Sequence, residues 1–127
     1  MSTEKDIQSL IRLALGKNPD VKIFRNISSM VFVGRQLSNN NGIITLGNAH
    51  QIHAGLFTGA SDLIGWKSLI VTPEMVGSRF SRFVSLEVKS ATGKLRPEQV
   101  IWLDAVHAAG GIADVVRSPE EALEALK

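Results

Sequence analysis

The chain has 127 residues, no cysteine and a formal net charge of only +2. That length suits one compact domain, and an apolar content of 44% is enough for a true core, which excludes a disordered tail. Without cysteine there is no disulfide framework, thiolate metal site or cysteine nucleophile, and so small a net charge is weak evidence of any partner.

The polar, acid-bearing start Met1-Ser2-Thr3-Glu4-Lys5-Asp6 is unlike a signal peptide. A first helix is predicted from Ser2 or Thr3, with Asp6 placed to complete a capping box and Ile7, Leu10, Ile11 and Ala14 recurring at helical spacing. Glu4 lies three residues before Ile7 and shares its inward face. It is there either as a first-turn acid facing the helix dipole or as a carboxylate reaching a site. Gly16-Lys17-Asn18-Pro19-Asp20 stops this helix, and Val21–Asn26 and Met30–Val33 read as strands. Ser38–Gly42 reads as a flexible polar loop. Ile43–Leu46 and the stretch around Ile52 read as further short strands.

Gly55–Gly59 is a predicted turn that delivers Asp62 onto the next strand, which Leu63, Ile64, Trp66 and Leu69–Val71 continue. After a connection at 73–81, Phe83–Ser90 reads as a strand. Ser90–Leu95 forms a loop, Pro97 opens a helix running to about Ala109, and Gly110-Gly111 ends it. Ile112–Val116 is a strand expected parallel to the preceding one, because a helix joins them. Ser118-Pro119-Glu120-Glu121 is a capping box opening a last short helix. The order gives an α/β fold with a mixed central sheet flanked by helices, in a single domain over residues 1–127. No apolar run reaches the roughly 20 residues that span a bilayer, so a soluble cytoplasmic protein is expected.

Chemistry concentrates in Leu86-Glu87-Val88-Lys89. Alternate strand residues share a face, so Glu87 and Lys89 project together while Leu86 and Val88 point the other way. A carboxylate and an ammonium side by side can hold a metal and steer a water, or they can form a structural ion pair. Asp62 offers a second carboxylate, and the carbonyl of Val88 a third oxygen. Lys89 suits water activation or charge stabilisation. Gln99 shares the sheet-facing side of its helix with Leu103 and Val106, and its amide would contact the site water or Lys89 if it is not simply solvated. Arg79, Arg82, Lys89, Lys94 and Arg96 form a basic neighbourhood suited to a phosphate backbone, or an ordinary solvated surface. His50, His53 and His107 read as surface residues. Trp66 and Trp102 read as core or interface residues.

Taken together, Glu4 with Ile7-Gln8, Arg25-Asn26, Gly55-Leu56-Phe57-Thr58-Gly59-Ala60-Ser61-Asp62-Leu63-Ile64-Gly65, Leu86-Glu87-Val88-Lys89, Gly93-Lys94-Leu95-Arg96-Pro97-Glu98-Gln99, Trp102-Leu103 and Gly110-Gly111 resemble the VRR-NUC (virus-type replication-repair nuclease) family of the PD-(D/E)XK, restriction-endonuclease-like superfamily. The superfamily's proline before the Asp is absent; Ser61 stands there. The resemblance is to short stand-alone members of phage and bacteria. It implies an active-site set of Glu4, Asp62, Glu87, Lys89 and Gln99, with Mg2+ or Mn2+ held by Asp62, Glu87 and Val88. It further implies a homodimeric endonuclease cutting branched double-stranded DNA, four-way (Holliday) junctions foremost, inside a bacterial cell. Arg25, Lys94 and Arg96 are the expected phosphate contacts. The alternatives are a non-catalytic nucleic-acid-binding module of the same fold, or a nuclease acting on linear or flap DNA.

Overall fold

The computed structural model describes residues 3–127, so Met1 and Ser2, and with them a helix start at Ser2, lie outside the described residues. The order is α1 (Glu4–Leu15), β1 (Val21–Arg25), β2 (Ser29–Asn40), β3 (Ile43–Ala54), β4 (Leu63–Lys67), a 3-10 turn (Pro73–Met75), β5 (Val84–Val88), α2 (Pro97–Ala108), β6 (Ile112–Val116) and α3 (Pro119–Ala125). The chain is α/β, and it gathers into two compact units. The first holds the described residues up to Lys22 together with Gly65–Lys127, and the second holds Ile23–Ile64. Among the described residues no helix is long and apolar enough to cross a membrane.

In the first unit, α1 starts where a hydroxyl can cap it. The Thr3 side chain accepts from Asp6 N, and the Asp6 carboxylate accepts from Thr3 N at 2.9 Å. Ile7, Leu10 and Ile11, expected to face inward, are exposed. The unit's core lies where α2 crosses the parallel pair β5–β6, aligned from Val84↔Ile112 to Val88↔Val116. Leu103, Val106 and Val116 are buried there, Val106 completely. The crossover ends at Gly110, with φ +94°. A Cβ on the next residue, Gly111, would stand 2.7 Å from Val106 Cγ1 and 2.8 Å from the Phe83 carbonyl oxygen. Only glycine lets the strand pass this close to the helix. Trp66, Phe83 and Trp102 stack alongside, with ring centroids 4.8–6.2 Å apart.

α3 departs from the expected capping box. Ser118 Oγ accepts from Glu121 N at 3.1 Å, but the Glu121 carboxylate reaches one residue further back and accepts from Arg117 N at 2.7 Å.

The second unit is dominated by the antiparallel β2–β3 hairpin, two strands of 12 residues each. Asn40 pairs with Ile43 across Asn41-Gly42, whose φ values of +50° and +82° suit a primed hairpin turn. The polar loop expected at Ser38–Gly42 therefore shrinks to a two-residue turn, and Met30–Val33, Ile43–Leu46 and the Ile52 region are pieces of long strands. Asn-Gly nucleates the turn, and the ladder then carries low-propensity Ser and Asn into extended backbone.

Two further corrections concern the sheet. Leu69–Val71 is irregular, because β4 ends at Lys67. The expected mixed central sheet appears instead as three two-stranded ladders, β1–β4, β2–β3 and β5–β6. β1–β4 is antiparallel, as Ser68 N bonding Asp20 O and Asn26 N bonding Asp62 O at its two ends require. No tight turn joins β4 to β5, since the chain from Ser68 to Phe83 is irregular apart from the 3-10 turn.

Candidate active site

Strand alternation on β5 turns Ser85 and Glu87 toward α2. Trp102 Nε1 donates to Ser85 Oγ at 2.8 Å, and Gln99 Nε2 donates to Glu87 Oε1 at 2.7 Å. Lys89, just beyond β5, is held by its own N–H on the Val116 carbonyl (3.1 Å), and its Nζ stands 3.4 Å from the same Glu87 Oε1. Gln99 is fixed at both ends of its amide, since its Oε1 accepts from Arg96 N at 2.9 Å. One side chain thus closes the first turn of α2 and orients the Glu87 carboxylate. The contact falls on Glu87, where Lys89 or a site water was expected. The Lys89 and Glu87 side chains are 19% and 30% exposed, sheltered yet open to a substrate. Within the first unit Glu87 Oε2 carries no hydrogen bond or ion pair. Between these two residues, Val88 turns its side chain outward, 74% exposed.

The loop after Lys89 is braced by a residue to which the sequence assigned no part. The Arg117 guanidinium donates to the carbonyls of Ser90 and of Gly93, the latter at 2.9 Å. Lys94 is exposed on this loop. Arg96 is also exposed, with Nε 3.3 Å from Glu98 Oε1. Arg82, expected in the basic neighbourhood, is occupied at the opposite end of α2, where it donates to the Gly110 and Gly111 carbonyls. Glu4 stands exposed in the first turn of α1, and among the described residues no hydrogen bond or ion pair joins it to Glu87, Lys89 or Gln99.

In the second unit, Asp62 is exposed immediately before β4. Its backbone carbonyl accepts from Asn26 N at 2.8 Å, and its carboxylate has no partner within that unit. The Asn26 side chain grips the same loop, accepting from Leu56 N and donating to Ser61 O, both at 3.0 Å. Arg25, the last residue of β1, is exposed. His53 Nε2 lies in hydrogen-bonding reach of Ser28 Oγ, 2.8 Å away, and of the Leu56 carbonyl; His50 is exposed on β3.

Among the described residues neither unit gathers three or more His, Asp or Glu side chains into a metal-ligating group. Glu87 Oε2 in the first unit and the Asp62 carboxylate in the second, each without a partner among the described residues of its own unit, are hard oxygens of the kind that suits Mg2+ or Mn2+.

The family model of the VRR-NUC domain matches residues 3–120. No curated protein and no solved structure matches the chain.

Proposed function

The chain belongs to the VRR-NUC domain family, and on that premise we propose that it is a metal-dependent, structure-selective DNA endonuclease with a single PD-(D/E)XK domain. The observation that carries this reading is the Glu87 carboxylate, clamped on one oxygen by Gln99 and Lys89 with its other oxygen free of protein partners in its unit. A carboxylate fixed in this way is a preformed ligand, because it needs no reorientation before binding.

Hydrolysis of a phosphodiester requires a water oxygen to bond phosphorus while the bond to the leaving oxygen breaks and that oxygen takes a proton. Mg2+ or Mn2+, held by Asp62, Glu87 and the Val88 carbonyl, would neutralise phosphate charge and acidify the water. Lys89 directs an ammonium at the same place, where it orients the water or stabilises negative charge as it develops. Gln99 keeps Glu87 in position, and Glu4 completes the set from α1. Lys94, Arg96 and Arg25 are exposed cations available to the phosphate backbone. Branched DNA, four-way junctions foremost, is the proposed substrate, and a homodimer with two equivalent sites suits its paired strands.

Asp62→Ala, Glu87→Ala and Lys89→Ala are each expected to lower cleavage by about 10²–10³-fold or more, with circular dichroism and DNA binding unchanged. Full cleavage by a folded Glu87→Ala protein would sink the assignment.

A further inference from the structure

We propose that Asn26 is the positioning residue for Asp62, which it holds through the backbone of the loop that carries it. The proposal rests on Asp62 being a metal ligand. Asn26 follows the last residue of β1 and makes three hydrogen bonds to the segment 56–62. Its Oδ1 accepts from Leu56 N at 3.0 Å, its Nδ2 donates to Ser61 O at 3.0 Å, and its backbone N donates to Asp62 O at 2.8 Å. Both ends of the loop are therefore pinned to one residue. The amide orientation is unambiguous, because a backbone N–H can only donate and a backbone carbonyl can only accept.

Two neighbours show how tightly the loop is held. Gly55 has φ +76°, and a Cβ there would stand 2.4 Å from the Ile27 carbonyl oxygen and 2.8 Å from Asn26 Oδ1. The loop entrance is thus pressed against the 26–27 backbone at a distance only glycine permits. Ser28 Oγ donates to the Leu56 carbonyl at 3.1 Å, a second anchor on the same residue that Asn26 holds by its N–H. The Asp62 carboxylate, by contrast, has no partner of its own in the unit. Its position is set by the backbone alone, and two of the three bonds from Asn26 fall on Ser61 and Asp62.

The chemistry required is that of asparagine and of no other side chain. One short planar group must present an acceptor to Leu56 and a donor to Ser61. Asn26→Asp keeps nearly the same size and shape, but it sets a carboxylate oxygen against the Ser61 carbonyl oxygen. Asn26→Ala loses both side-chain bonds and keeps only the backbone one. Groups that orient a metal ligand without touching the metal typically change affinity by about 10–100-fold when removed.

The test is Mn2+ binding to the full chain without DNA, read by electron paramagnetic resonance, for wild type, Asn26→Asp, Asn26→Ala, Asp62→Ala and the Asn26→Ala/Asp62→Ala double variant. Expected are affinities lowered about 10-fold or more in both Asn26 variants, and no further loss when Asn26→Ala is added to Asp62→Ala. In cleavage assays the Asn26→Ala defect should shrink as Mn2+ is raised, whereas that of Asp62→Ala should not. Folded Asn26 variants that bind Mn2+ like wild type, while Asp62→Ala does not, would overturn the positioning role and leave the nuclease reading standing. Wild-type Mn2+ affinity in Asp62→Ala would remove the ligand assignment itself, and the proposal with it. Loss of fold in both Asn26 variants would likewise overturn it, by showing that the clamp serves the fold as a whole.

Discussion

Gln99 shows how much one residue can combine. Its amide oxygen satisfies the Arg96 N–H at the start of α2, and its amide nitrogen holds Glu87 Oε1. Gln99→Ala removes both bonds, so a loss of about 1–2 kcal/mol is expected in chemical denaturation, together with a cleavage defect of about 10–100-fold. Gln99→Glu should keep the bond to Arg96 and set two carboxylates against each other. If it cleaves like wild type, the clamp is irrelevant to catalysis. Glu87, Lys89 and Gln99 could be read from the sequence because period-two alternation and helical spacing fix which way each one points. The roles of Asn26 and Arg117 could not. Both act on backbone groups of loops remote in sequence: Asn26 on the Leu56 N–H and the Ser61 carbonyl, and Arg117 on the Ser90 and Gly93 carbonyls. A polar residue near a strand end carries no mark of which loop it will bind.

At the scale of elements, caps and glycines were the most legible signals. Thr3 and Asp6 form the expected box, Pro97 opens α2, and Gly110-Gly111 close it. Hydrogen bonds from the Thr3 hydroxyl and backbone N–H hold the Asp6 carboxyl below its usual 3.8. A folded-state pKa that is lowered stabilises the fold fully above the unfolded value, and the contribution is lost as pH falls through the folded one. Acid titration followed by far-ultraviolet circular dichroism should therefore show helix loss below about pH 3.8, and Asp6→Asn should remove that component. Gly111→Ala places a methyl group against Val106 and the Phe83 carbonyl. Thermal melts should report destabilisation of about 1–3 kcal/mol, and an unchanged melt would mean that the helix and strand separate easily. The hairpin is less legible in the sequence. Its strands pass through polar Ser38, Asn39 and Asn40, which local propensity assigns to a loop, and the ladder to Ile43, Ile44 and Thr45 across the Asn41-Gly42 turn makes them strand.

For the whole molecule, the α/β class and helix order followed from pattern, but most of the strand pairing did not. Parallel pairing of β5 with β6 was legible from the helix between them; the pairing of β1 with β4 joins strands far apart in sequence, with nothing local to mark it. The net charge of +2 means that DNA affinity must come from a few placed cations. If Lys94 and Arg96 each contact one phosphate, replacing either by alanine should lower the slope of log affinity against log salt by about 0.9. A slope unchanged in both variants would place the DNA elsewhere.

The proposed role of Glu87 is metal-dependent cutting of branched DNA. It is tested most directly by incubating labelled four-way junction, flap, linear duplex and single-stranded DNA with the protein in Mg2+ or Mn2+, with Glu87→Ala in parallel. Paired nicks in the junction, dependent on the metal and absent in the variant, are expected. Intact binding with no cutting of any substrate, or cutting that survives in Glu87→Ala, would contradict that role.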